Sequence, residues 1–495
     1  MKNKFILSLF MCITMLLSVS LAGCSTTEKQ TGTAPRENTE KPQNLTDEKE
    51  DTEKPQNLTD EKEDTVIPQS LTDDELLKAA KVYQGYLKEI KPRISKVWSG
   101  ANPDDYNIII TNGNKNYFVS EQLYEELELA DADNDLKNTL QNLQYAVGMY
   151  QNAEYKGESA TVLHLTKSAD DCTQEELLQN FIILMHESFH FHSQDGWNSI
   201  NTMPAENEQA NLRASVYPVD EKPRVLRAMI YDCLYSALNS HSEEKLQMYL
   251  SNAKYWYENW KTEYSDEYSS IKVTDLSEGT AEYFGNEIKR ILTNEKAVQT
   301  PEEFALADQA ADAESYGLGD LAIQLIKKQK AFEVKGFEHG SSPLEILFDN
   351  VTANTEVQEN DTIRTLVSDR IQKNNKQISD YFTDYINADK NGNMTYLSID
   401  SETLTGIMAS GFYYLTDISK TGWQDSSISN QAIQVENKAV FEYMEQILIP
   451  VSESDLTIKD NKICAVNSDG LTLNNPVNFE KTEDDNGNTI YKLKS

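Results

Sequence analysis

At 495 residues the chain has room for two or three domains, and 39% hydrophobic content is enough to bury a core. Its formal net charge of −36 excludes a nucleic-acid binder, which needs a basic face to displace counterions. It also excludes electrostatic docking on an anionic bilayer, and acidity on this scale mainly confers solubility.

The first residues read as a targeting segment. Met1 to Lys4 is a short basic start, Phe5 to Val19 is apolar, and small residues follow, the three regions of a secretory signal. Leu21-Ala22-Gly23-Cys24 resembles the lipobox of bacterial lipoproteins. That resemblance implies a signal peptide over residues 1–23 and lipidation of Cys24. It also implies an extracytoplasmic chain lipid-anchored to a bacterial cell membrane. Residues 24–70 read as a disordered linker. TEKPQNLTDEKED at Thr39–Asp51 is repeated unchanged at Thr52–Asp64, and a decayed third copy runs from Thr65 to Leu77. The first two copies hold too few large apolar residues to fold. With Cys12 removed and Cys24 lipidated, Cys172, Cys233 and Cys464 remain, which is no disulfide framework.

Folding is expected from about Leu71, in an α+β, predominantly helical domain over 71–450. Thr72-Asp73-Asp74-Glu75 has the form of a capping box, and apolar residues at helical spacing follow it. Asn107–Thr111 and Asn116–Ser120 read as strands of a small N-terminal sheet, joined by an Asn112-Gly113 turn. Helical character is expected across Glu121–Tyr150, and a short β-prone run at Ala160–Leu165. A strong helix spans Thr173 to about Ser193, capped by Thr173 and Glu176, with Leu177, Leu178, Phe181, Ile182 and Met185 as its apolar stripe. Helices then dominate to about Ile386, including Ala205–Tyr217, Val225–Leu238 and Glu243–Tyr264. From 451 to 495, alternating short strands with Asp460-Asn461 and Asn486-Gly487 turns predict a β-rich C-terminal segment.

The chemistry concentrates on the helix from Thr173. His186-Glu187-Ser188-Phe189-His190 places two imidazoles four residues apart, on one helix face, where both can reach one metal. Glu187 lies about 100° around the helix from His186, beside a metal rather than on it, where it can take a proton from water. This is the HExxH arrangement of zinc peptidases. Catalytic zinc takes three protein ligands and an open position, so a third ligand must come from elsewhere.

Downstream, Leu276-Ser277-Glu278-Gly279-Thr280-Ala281-Glu282-Tyr283 supplies Glu-Gly-x-Ala-x-Tyr. After an HExxH helix, this resembles the second active-site helix of the gluzincins, the thermolysin and aminopeptidase-N group. The resemblance spans roughly Ala160 to Leu325. It implies a zincin-like fold, Glu278 as third Zn2+ ligand and Glu282 as the acid that orients a ligand histidine. It further implies that Tyr316, in Tyr316-Gly317-Leu318-Gly319, donates to the oxyanion. His339, in Glu338-His339-Gly340, is an alternative donor that no motif supports, and it reads first as a loop residue. The chain departs from the group in three ways. The interval from His190 to Glu278 is longer than in thermolysin. That from Glu278 to Tyr316 is shorter than in aminopeptidase N. No Gly-x-Met-Glu-Asn segment is present, so aminopeptidase specificity is not implied.

In gluzincins the strand beside the metal pairs with substrate backbone. His164, in the Ala160–Leu165 strand, is therefore a candidate for the cleft or for an exposed edge. His192 is expected to point away from the metal. The Asp131–Asp135 and Asn387–Gly392 runs lack the full pattern of a calcium loop and read as turns. The function expected is a zinc-dependent peptidase acting on peptide or protein substrates. The alternative is a catalytically retired zincin scaffold serving in binding or adhesion.

Overall fold

In a computed structural model of the chain, the residues described are 69–130, 132–144, 148–168, 172–197, 216–295, 298–307, 313–329, 334–403, 406–417, 421–443 and 446–494. The expected signal peptide, Cys24, most of the expected linker and the segment 205–215 lie outside them, as does Asp131. The architecture is mixed α+β. Among the described residues, no helix is long and apolar enough to cross a membrane.

Strand β1 (Gln69–Ser70) leads into helix α1 (Asp73–Ile90). The Thr72 hydroxyl accepts from Glu75 N, and the Glu75 carboxylate accepts from Thr72 N, closing the expected capping box. The same carboxylate accepts from Lys167 Nζ at 2.9 Å and from Cys172 N at 2.9 Å. It thus ties the start of α1 to the segment that enters the next long helix.

A five-stranded sheet follows, formed by β2 (Asn107–Thr111), β3 (Asn116–Val119), β4 (Tyr124–Glu126), β5 (Tyr150–Tyr155) and β6 (Glu158–His164). Its order is β4-β3-β2-β6-β5, with β2 and β6 parallel and the other neighbours antiparallel. Gly113 turns the β2–β3 hairpin at φ +84°, a conformation open to glycine at little steric cost. The helical character expected across Glu121–Tyr150 is met only in part. That stretch holds β4, helix α2 (Asn134–Leu143) and the start of β5. α2 packs Leu136, Leu140 and Leu143 on one face of the sheet, against Ile109, Phe118, Ala160 and Val162. The other face, with Ile108, Ile110 and Leu163, belongs to the main core.

β7 (Thr166–Lys167) pairs with β1, and helix α3 (Gln174–Ser188) follows. Its Thr173–Glu176 capping box forms as expected, and Leu177, Phe181, Leu184 and Met185 are buried. The helix ends in a π turn, Phe189–Ser193. β8 (Val216–Tyr217) is a strand where the helix Ala205–Tyr217 was expected to end. Helices α4 (Glu221–Leu238), α5 (Glu243–Glu263) and α6 (Ser265–Thr293) form the middle of the chain, followed by α7 (Ala313–Lys328) and α8 (Asp361–Lys390).

Helices α6 and α7 cross at Gly279 and Gly319. A Cβ built on Gly319 would lie 2.2 Å from Gly279 Cα, so the two backbones touch with no side chain between them.

The strand-rich region begins at Thr395 rather than at Val451. β9 (Thr395–Asp400), β10 (Gly406–Asp417), β11 (Thr421–Ser429), β12 (Ile433–Tyr443) and β13 (Gln446–Val451) precede β14 (Leu456–Lys459) to β18 (Thr489–Lys494). All belong to one 11-stranded sheet, in which β18 runs parallel to β9. The boundary expected at 450/451 therefore falls inside a sheet. The Asp460-Asn461 turn has both residues at positive φ, the geometry of a tight two-residue hairpin.

Candidate metal centre

α3 contributes His186 and, from its π turn, His190. Helical spacing brings His186 Nε2 and His190 Nε2 to 3.0 Å. α6 passes over α3, with Gly285 against Ile182 and His186. From α6, Glu278 Oε2 lies 3.3 Å from each of the two Nε2 atoms. His186 and Glu278 are buried, 2% and 3% exposed, so little water competes for these atoms. Around a tetrahedral metal ion with bonds of about 2.0–2.1 Å, ligand atoms stand about 3.3 Å apart. The three separations here, 3.0, 3.3 and 3.3 Å, match that figure closely. The group can hold a metal ion, and among the described residues it is the cluster of His, Cys, Asp or Glu side chains close enough to do so.

Electrostatics agree with cation binding. Burial opposes charge on His186, yet Glu278 and Glu282 overcome it and hold the imidazole up at about 10. Burial likewise favours a neutral Glu278, but His190 and His186 hold its carboxyl well below the ordinary range. A carboxylate that needs two cationic neighbours to stay charged when buried is also a strong partner for a metal ion.

The other predicted residues fall around this group. Glu187 is buried, and desolvation, opposed by His186 and His190, leaves its carboxyl raised. The Tyr150 hydroxyl donates to it. Glu282, one turn beyond Glu278, stands 3.6 Å from His186 Nδ1, an ion-pair distance longer than a normal hydrogen bond. Glu282 accepts from Asn286, which also donates to Asp320, and Asp320 pairs with Arg290 at 2.9 Å. Tyr316 lies in the first turn of α7. Its ring stacks on His186 with centroids 5.8 Å apart, and its hydroxyl hydrogen-bonds Glu278. Burial, reinforced by the charge on Glu278, raises the phenol well above its usual pKa, so it remains a donor.

An ionic cluster holds the two segments that carry Glu278 and Tyr316. Arg227 of α4, fully buried, donates to both oxygens of Asp275, one turn before Glu278, at 2.6 and 3.1 Å. Its Nε lies 2.8 Å from Glu314, two residues before Tyr316. Ser315 Oγ donates to Asp275 at 2.6 Å.

His164 is neither in the cleft nor on an exposed edge. β6 is an interior strand, and alternation puts His164 on the face of Ala160 and Val162, toward α2. There it is fully buried, bonded to Leu143 O and Ser70 Oγ, both at 2.7 Å. The opposite face meets the site helix, where Ser188 Oγ and Thr161 Oγ1 are hydrogen-bonded at 2.8 Å. His192 packs edge-on against Tyr106, and His339 is exposed beyond a short helix.

Two residues at the site had no signal as a motif. Tyr150 sits inside a stretch read as helix. Gln194 lies four positions past His190, and its side chain bonds His190 Nδ1 at 2.8 Å. A second amide or acid on the i+4 face of the second histidine was the available clue. Compared with known proteins, the chain matches no family model, no curated protein and no solved structure.

Proposed function

We propose that the protein is a zinc-dependent peptidase of the gluzincin type, displayed through a lipid anchor on the outer face of a bacterial membrane. The observation that carries the reading is the meeting of His186, His190 and Glu278 at tetrahedral ligand spacing with the Glu187 carboxylate beside them. Two nitrogens and one carboxylate oxygen suit zinc and leave one position free. When bound there, zinc would lower the pKa of water to about 7 and polarise the scissile carbonyl.

The chain's own groups supply the rest. Glu187, its carboxyl raised by burial, takes a proton from the attacking water and returns it to the leaving nitrogen. The Tyr150 hydroxyl holds that carboxylate. Tyr316, kept protonated, donates where negative charge develops on the substrate oxygen. Glu282 faces the far nitrogen of His186 and favours the proton there. A peptide substrate is supported by β5. Among the described residues it is an edge strand of the five-stranded sheet, and it begins at Tyr150, beside the general base. An extended peptide can pair with such an edge.

The test is metal analysis together with a peptide-library digest. The wild type is expected to hold one zinc per chain and to lose cleavage on chelation. Glu187→Gln is expected to keep the metal and lose turnover by at least about 10²-fold. Unchanged turnover in that variant eliminates the mechanism. A zinc-loaded chain silent on the whole library would favour the binding or adhesion role.

A further inference from the structure

Gln194 stands where α3's π turn ends. Its backbone N–H bonds Phe189 O at 3.1 Å, the five-residue step of the wide turn, and its side chain is swung beneath His190. The residue is buried, 3% exposed. One end of its amide is 2.8 Å from His190 Nδ1. The other end is 2.7 Å from Ser277 O and 2.8 Å from Thr280 Oγ1, on either side of Glu278 in α6.

These partners settle which end of the amide is which. Ser277 O can only accept. Thr280's hydroxyl proton is directed to Leu276 O at 2.8 Å, so toward Gln194 this oxygen also accepts. The amide nitrogen must therefore face α6, and the amide oxygen must face His190. An amide oxygen accepts and never donates, so His190 Nδ1 carries the proton. The lone pair of His190 is then on Nε2, the atom 3.3 Å from Glu278 and 3.0 Å from His186 Nε2.

We propose that Gln194 is a positioning residue that locks His190 in the Nδ1–H tautomer and joins the two ligand-bearing helices, and so sets the affinity of the site for its metal. The inference rests on the metal-site reading above. It extends the motif to His-Glu-x-x-His-x-x-x-Gln, with the amide in place of the carboxylate that faces His186. A neutral acceptor orients the ring without adding a charge beside it, so the site carries one net negative charge fewer than a second acid would give.

The experiment uses the full chain as wild type, Gln194→Leu and Gln194→Glu. Zinc affinity is read by competition with a chromogenic chelator. The His190 tautomer is read by imidazole 15N NMR of the metal-free protein, at alkaline pH where the ring is neutral. Gln194→Leu removes the acceptor, and a 10–100-fold weaker zinc affinity is expected, with loss of the single Nδ1–H form. Gln194→Glu keeps an acceptor and is expected to keep that tautomer. Wild-type zinc affinity in a folded Gln194→Leu protein overturns the proposal. So does an Nε2–H His190 in the metal-free wild type, which decides the matter even where the leucine variant does not fold. A wild type with no tight zinc site would instead overturn the metallopeptidase reading.

Discussion

Gly319→Ala adds one methyl group at the point where α6 and α7 touch. Its Cβ would lie 2.2 Å from Gly279 Cα, 2.7 Å from Gly279 C and 2.9 Å from Gly279 O. Ordinary carbon–carbon contact is about 3.5–4.0 Å, so the helices must part by about 1.3 Å or more. No flexible side-chain end is available to yield, because the opposing atoms are backbone. Overpacking of this kind costs about 1–3 kcal/mol. Alanine is favoured over glycine inside a helix by about 1 kcal/mol, which offsets part of that. The net expectation is a loss of up to about 2 kcal/mol. Gly85→Ala is the control. Gly85 lies in α1, exposed, with nothing within 4 Å of an added Cβ, and there only the favourable propensity of about 1 kcal/mol remains. The two substitutions should thus shift stability in opposite directions in urea denaturation of the metal-free chain. On the proposed peptidase reading the Gly319 variant should also lose activity, since Glu278 adjoins Gly279 and Tyr316 lies one turn before Gly319. A displacement near 1 Å between them is expected to lower kcat/KM on the order of 10²-fold. A Gly319→Ala protein as stable and as active as wild type would refute the argument from the helix crossing.

The Glu75 carboxylate offers a pH test. Burial opposes its charge, but Thr72 N, Cys172 N, Lys167 and the Thr72 hydroxyl together pull its pKa down to about 2. With an unfolded value of about 4.3, it contributes stability that is complete above that value and is lost as pH falls toward 2. Glu75→Gln should be less stable than wild type by up to about 3 kcal/mol at pH 7, and the difference should vanish near pH 2 in urea titrations. A pH-independent difference would refute the assignment. Arg227→Leu leaves Asp275 buried without its cation, while Glu314 keeps Arg224 at 2.8 Å, and a loss of about 3–5 kcal/mol is expected in denaturant unfolding. A loss below about 1 kcal/mol would show that the cluster does not hold α6 and α7 together.

Local order was legible in the residues themselves. Both capping boxes, the Gly113 and Asp460-Asn461 turns and the apolar stripe of α3 depend on neighbours a few positions apart, and single-segment chemistry specifies them. The same holds for the facing of His186 and His190, because helical pitch alone sets it. The misread stretch Glu121–Tyr150 shows where local signals stop. β4 and β5 acquire their form by pairing with β3 and β6, and no pattern within them requires it. The strand region from Thr395 is a similar case, since β9 lies between β13 and the far tail strand β18.

The arrival of Glu278 at the two imidazoles is of another kind. It depends on α6 lying over α3 and against α7, which the glycine contacts and the Arg227 cluster make possible. The direction of His164 was decided by which of its neighbours fill the sheet's two faces, and the role of Gln194 by the acceptors waiting on another helix. Sequence determines what a segment can do alone, through bond geometry and short-range hydrogen bonds. Which distant side chains share one volume is decided by close packing, because only the assembled core excludes the alternatives.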